Sequence, residues 1–167
     1  TIADMRPGFA GGLNVYRTMA HHPALLRAWS DLREHVVNNS TLGKQRSEIV
    51  ILRAGLRLES DYEWSQHVIR ARNCGLADAR ISSVRGPACD MNPDDAILAQ
   101  AVDELFSDAK LSSATATKLA ELVGTRGVLD LMATVGFYST LGFILNTART
   151  PLDAQIASKL KAAPLND

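Results

Sequence analysis

Two carboxylates, a phenol, an indole and an imidazole fall close together in the middle of this chain: Ser47-Glu48, then Asp61-Tyr62-Glu63-Trp64-Ser65-Gln66-His67. Glu63 and His67 are four apart, which sets them on one face of a helix. Glu48 lies on the preceding segment, where a helical hairpin brings it alongside His67. Histidine changes charge most readily near neutral pH, and a carboxylate beside it fixes its tautomer and tunes its proton affinity. The set suits proton transfer on a bound organic molecule. His67 is the first candidate for general acid, with Glu48 as its partner and Glu63 as a second acid, base or orienting group. Tyr62, Tyr138 or a backbone N–H is a candidate donor to a developing oxyanion. Trp64 is a candidate pocket wall, and Arg46 or Arg53 a candidate receptor for a substrate carboxylate.

Plainer readings stand beside these. A glutamate and a histidine on adjacent helices are often a structural ion pair, and Glu63–His67 alone reads equally as a surface pair worth ~0.2–0.5 kcal/mol. Trp64, Tyr62 and Tyr138 are more often packing residues than substrate contacts. No second Glu-x-x-x-His accompanies the first, and His21-His22 precedes Pro23 in a turn, so no metal and no cofactor is expected. Gly124-Thr125-Arg126-Gly127 is too short for a nucleotide-binding loop and follows no strand.

The elements that must position these residues read as helices almost throughout. Helices are expected over Asn14–Ala20 and from Pro23 to about Val37, where Leu25, Leu26, Trp29, Leu32 and Val36 recur at helical spacing. Next come Lys44 to Leu58, although Glu48-Ile49-Val50-Ile51-Leu52 also passes for a strand, and Tyr62 to Cys74, with Asp61 as N-cap and Gly75 as stop. A short helix over Ala77–Val84 precedes a helix capped by Asn92, with Pro93 in its first turn, running to about Ala109. Ser112 or Ser113 caps a helix to about Val123. Gly124 and Gly127 punctuate the start of a long apolar helix, Val128 to Ala148, and the tail from Pro151-Leu152 has room for one more. Gly8-Phe9-Ala10-Gly11-Gly12 reads as a flexible lead-in or a lid. The expectation is one all-α domain over 1–167, with about seven to nine helices and a central helical hairpin.

Composition narrows the function classes. Lys+Arg and Asp+Glu are equal at 18 each, so no basic excess calls for nucleic acid. Apolar residues at 46% and charged residues at 22% are ordinary for a water-soluble fold. The longest apolar runs look short of a membrane span. Thr1-Ile2-Ala3-Asp4 lacks a signal peptide's basic start and apolar middle, and Cys74 and Cys89 are too few for a disulfide framework, so a cytoplasmic setting is expected.

The central text resembles the carboxymuconolactone decarboxylase and AhpD-like superfamily. The matching residues are Arg46-Ser47-Glu48-Ile49-Val50-Ile51-Leu52-Arg53, Tyr62-Glu63-Trp64-Ser65-Gln66-His67 and Cys74-Gly75-Leu76. Asp94 to Leu105, Asp130-Leu131, Val135-Gly136-Phe137-Tyr138 and Leu145-Asn146 continue it, from about residue 14 to 150. The resemblance implies an AhpD-like helical fold with the hairpin at the active site, and a homo-oligomer, commonly a trimer or hexamer. It implies one of two chemistries. A thiol peroxidase needs a Cys-x-x-Cys pair ahead of the histidine, and Ser60 and Glu63 hold those two positions, so no thiolate or disulfide forms there. The other branch decarboxylates a lactone acid without cysteines. There the lactone carbonyl takes the electrons as a dienolate and a general acid protonates carbon. The resemblance thus implies a Glu48–His67 proton relay acting on a small carboxylated lactone or enol. A non-catalytic assembly module, using the long apolar helix as its interface, is the rival from a different class.

Overall fold

The computed structural model describes residues 12–165, and the expectations for Thr1–Asp4 and for most of the Gly8–Gly12 stretch lie outside them. Among the described residues there are eight α-helices and no strand: α1 Asn14–Met19, α2 Pro23–Glu34, α3 Lys44–Arg57, α4 Asp61–Asn73, α5 Asp78–Ser83, α6 Pro93–Asp108, α7 Ser113–Ala148 and α8 Ala154–Ala162. The segment that passes for a strand, Glu48 to Leu52, is the buried middle of α3. All its side chains are hidden, so the helix lacks a polar face there and reads ambiguously.

The caps explain the boundaries. Ser60, not Asp61, caps α4, accepting the Glu63 N–H at 3.5 Å. Asn92 accepts the Asp95 N–H at 3.0 Å at the start of α6, and Ser112 accepts the Thr115 N–H at 3.2 Å at the start of α7. Gly75, at φ 88°, ends α4 in a backbone shape that suits glycine. Gly124, at φ 70° and ψ 169°, breaks α7 where the sequence suggests a boundary, so α7 is two helical stretches joined at a kink. The helix beginning at Pro23 ends three residues early as α-helix and widens into a π-helical turn over His35–Asn39. That turn and the loop after it are held by Asp130 of α7. Its carboxylate takes the His35 Nε2 at 2.7 Å, the Thr41 N–H at 2.6 Å and the Thr41 hydroxyl at 2.8 Å. Burial pushes Asp130 up, but His35 and Thr41 outweigh it and hold its pKa below the usual carboxylate range.

α3 packs against α4, α6 and α7, and two apolar clusters form around it. The larger joins Ile49, Val50 and Leu52 of α3 to Val68, Leu98, Val102 and Leu131. The smaller joins Val15, Tyr16 and Leu26 to Ile51, Tyr62, Phe137 and Tyr138. The α3–α4 hairpin is tight at Gly55, where a Cβ would come within 3.4 Å of both Glu63 Cβ and the Trp64 nitrogen. α7 also corrects the expectation about apolar runs. It holds an 18-residue window of mean hydropathy 1.6, enough by length and composition to cross a membrane, and half of that window is buried inside this structure. Glycines, threonines and serines interrupt the apolar residues without introducing charge, which hides the window's length in a residue-by-residue reading.

Asp153, just ahead of α8, fastens three elements. Its Oδ2 accepts from the Tyr62 hydroxyl and from Gln66 Nε2, both at 2.5 Å, and its Oδ1 accepts the Asn14 N–H at 3.0 Å. Asp153→Ala leaves those buried donors unpaired. Urea denaturation is expected to show a loss of about 3 kcal/mol, with the midpoint lowered and the slope unchanged.

Candidate functional site

The hairpin brings His67 and Glu48 into direct contact. His67 Nδ1 donates to Glu48 Oε2 at 2.6 Å, and both side chains are buried, 4% and 10% exposed. On the other side of the ring, His67 Nε2 lies 3.5 Å from Glu63 Oε2, with Glu63 also 4% exposed. Arg70, one turn beyond His67 on α4, places its Nε 3.5 Å from Glu48 Oε1. Tyr138 of α7 meets the His67 ring edge-on, with centroids 4.9 Å apart. Two carboxylates, one imidazole and one guanidinium therefore share a secluded junction of α3, α4 and α7.

Burial pushes the His67 pKa down, but the Glu48 charge and the hydrogen bonds to Glu48 and Glu63 outweigh it and hold the imidazole above its ordinary value. Arg70 acts in the opposite sense on the same ring. Burial, followed by the charge of Glu63, keeps the Tyr138 phenol protonated well beyond its usual range. Among the described residues the Tyr138 hydroxyl has no hydrogen-bond partner, so its proton is available to a ligand. Tyr62 differs. Its hydroxyl proton goes to Asp153 and its oxygen accepts the Val15 N–H at 3.3 Å, so it is committed to the scaffold.

Two cavities adjoin this junction. The larger, about 520 Å³, is lined by Glu48, Ser47, Lys44 and Ile51 of α3, Arg70, Asn73 and Cys74 from α4 and its end, Tyr138, and Val36, Val37 and Asn38 of the π turn. The smaller, about 30 Å³, is lined by His67, Glu63, Gln66, Tyr16 and Tyr62 among others; that is the space of about one water. Val37, Arg70 and Tyr138 line both, so the cavities share a wall. Glu48 faces the chamber large enough for an organic molecule, and His67 stands one group behind it.

The remaining candidates lie elsewhere. Arg53 makes a bidentate pair with Asp103 at 2.9 and 2.6 Å and donates twice at 2.7 Å to the carbonyls of Val84 and Gly86, tying α3 to α6 and the α5 loop. Arg46 reaches Asp94 at 3.4 Å on the surface. Trp64 packs on the larger core cluster under Arg85, whose guanidinium carbon is 4.7 Å from the ring centroid. None of the three lines either cavity. In their place the structure brings Lys44 and Arg70, which sequence reasoning missed. Their signal was present as spacing: Lys44 is four before Glu48, and Arg70 is three after His67 and seven after Glu63. Cys74 also lines the larger cavity, with Sγ 3.2 Å from the Ala71 carbonyl, but burial and then Glu48 push its thiol up, away from the reactive thiolate. Cys89 is exposed. Among the described residues no group of three or more metal-binding side chains gathers.

The raised His67 pKa fixes the sign of a pH effect. The folded state holds this proton more tightly than the unfolded chain does. The stabilisation is therefore full below the unfolded imidazole pKa of about 6.5 and is lost as pH rises through the higher folded value. Wild type is expected to lose stability over that window relative to His67→Gln, read as the difference between their denaturation midpoints from pH 6 upward.

Among curated proteins, none matches the chain. Residues 23–105 match the model of the carboxymuconolactone decarboxylase family. This segment, about half of the chain, runs from the start of α2 through most of α6 and contains Glu48, Glu63, His67, Arg70 and Lys44, while Tyr138 lies beyond it. With this match and the all-helical architecture, the chain is a member of the carboxymuconolactone decarboxylase family.

Proposed function

We propose that this protein is a cofactor-independent lyase of the carboxymuconolactone decarboxylase type, acting on a small carboxylated lactone or enol. The observation that carries the reading is the 2.6 Å contact between buried His67 and a Glu48 that opens onto a cavity of about 520 Å³. In an unsaturated lactone acid, the bond to the departing carboxyl carbon breaks and its electron pair runs through the ring double bond into the lactone carbonyl. Carbon dioxide leaves and a dienolate remains. The Tyr138 hydroxyl, unpartnered and protonated, suits donation to that oxyanion. Glu48, on the cavity side, delivers the proton to carbon. His67 resupplies Glu48 through Nδ1, and Glu63 steadies the imidazolium at Nε2. Relative to the expectation from sequence, the proton donor and its partner exchange places.

Carbon dioxide release from γ-carboxymuconolactone is the direct test. His67→Ala and Glu48→Gln are each expected to lower kcat by ~10²–10⁴-fold, whereas Arg46→Gln leaves it near wild type. Equal release by wild type and His67→Ala would remove the relay.

The same reading includes self-association as a trimer or hexamer. Leu129, Met132 and Phe143 of α7 are 63%, 37% and 62% exposed, a run of large apolar side chains at helical spacing. Phe143→Glu is expected to shift the mass measured by light scattering toward the monomer; an unchanged mass would exclude this face as the contact.

A further inference from the structure

The relay contains one more group whose position has a consequence for ligand binding. Arg70 comes closest to Glu48 through Nε, at 3.5 Å, and among the described residues its two terminal nitrogens donate no hydrogen bond. Its side chain is 38% exposed and lines both cavities. Lys44, on the same wall of the larger cavity as Glu48, is exposed and makes no ion pair among the described residues. The cavity thus presents two cations with donor capacity to spare, one of them touching the carboxylate that holds His67. A guanidinium with free terminal nitrogens binds a carboxylate in a bidentate manner.

Resting on the acid–base reading above, we propose that Arg70 is a positioning residue that couples the charge of the bound ligand to the proton on His67. An anionic group of the ligand docks on the free Arg70 nitrogens, with Lys44 beside it, and cancels the positive charge that opposes protonation of the imidazole. Binding of an organic acid thereby loads the relay, and binding of a neutral analogue does not.

The groups facing His67 support this sense. Glu48 from α3 and Glu63 from α4 favour the imidazolium, and Arg70 from α4 opposes it. Tyr138 from α7 meets the ring as a neutral phenol, and Tyr16 from α1, with Arg33 of α2 bonded to its oxygen at 2.9 Å, lines the small chamber beside it. Arg70 is the cation of this group that both touches Glu48 and opens onto the larger cavity, so it is where ligand charge enters the balance. Val36 and Ile51 add apolar side chains to the lining of the same cavity, and the departing carboxylate would rest against these, apart from the cations. That separation suits the reaction, because an ion pair with the leaving group would stabilise the ground state over the neutral product.

Nuclear magnetic resonance of the imidazole Cε1–H signals tests the coupling in the intact chain. The chain has 4 histidines, and the His67 signal is the one lost in His67→Ala. The probes are (5-oxotetrahydrofuran-2-yl)acetate, whose carboxylate is on a side arm rather than on the ring carbon that would lose carbon dioxide and whose saturated ring has no double bond to receive an electron pair, and its methyl ester. Saturating acid is expected to raise the His67 midpoint by at least about half a pH unit, and the ester to leave it in place. In ligand-free Arg70→Gln the midpoint is expected to be already raised and to ignore the acid, while Arg70→Lys restores the lower value. Equal midpoints with acid and ester in wild type, or an unshifted midpoint in Arg70→Gln, would overturn the proposal. Both readouts are independent of turnover: absent carbon dioxide release with the midpoint shift intact would sink the lyase reading and leave the coupling standing.

Discussion

The fold is organised around a costly contact: an imidazole and a carboxylate from consecutive helices, meeting almost entirely out of water. Each ion brought inside costs several kcal/mol in lost hydration, and a buried pair rarely recovers that by mutual attraction alone. Here the cost is met by arrangement. Glu48 divides its two oxygens between His67 and Arg70, and His67 divides its two nitrogens between Glu48 and Glu63. With the imidazole protonated, two negative charges face two positive ones. Apolar side chains of the same volume are often as stabilising as such a cluster or more so, so stability alone does not account for it. A cavity of about 520 Å³ opens beside it, lined by Glu48.

Every neighbouring element answers to that contact. The closeness of α3 and α4 at Gly55 sets the separation of the two helices. Ser60 starts α4 so that Glu63 falls in its first turn, where the positive end of the helix favours a carboxylate. Tyr138 closes the third side from α7, beside Phe137, which stacks on Trp29. The π turn His35–Asn39 supplies the remaining cavity wall and is pinned to α7 through Asp130. A wall made of a wide, irregular turn depends on such an anchor, because a π turn by itself is a weak structure.

How much of this was legible in the sequence follows from range. Helix identity rests on local signals, and it was readable from caps and spacing at Asn92, Ser112, Gly75 and Gly124. The cap of α4 was misplaced by one residue because Ser60 and Asp61 are both good caps and only the fold chooses between them. The Glu48–His67 contact came from the family pattern, since nineteen residues of separation carry no local rule. The arginines failed on helix phase. At 3.6 residues per turn, Arg46 lies about 160° and Arg53 about 140° around α3 from Glu48, whereas Lys44 lies about 40° from it. Trp64 and Arg70 flank His67 by about 60° on opposite sides, and Glu63 marks the side that faces the cavity. That choice was available from sequence. The role of Asp153 was not, because it requires α8 to fold back onto α1 and α4 across 87 to 139 residues.

The two positions where the peroxidase pattern carries sulfur are filled here by a hydroxyl and a carboxylate, Ser60 and Glu63. Ser60 keeps the helix-capping geometry, and its oxygen is occupied by the Glu63 N–H. Glu63 places a carboxylate in the first turn of α4, the place where a thiolate would draw on the same positive helix end. Against that pattern, an anion still stands at this helix end, a carboxylate in place of a thiolate. A thiolate beside the imidazole would act as a nucleophile toward peroxide. In the proton relay proposed above, a carboxylate 3.5 Å from Nε2 steadies that side of the ring while the Nδ1 proton passes to Glu48. In that proposal the direction of flow, from enclosed chamber to open cavity, follows from Glu63 lining the one and Glu48 the other.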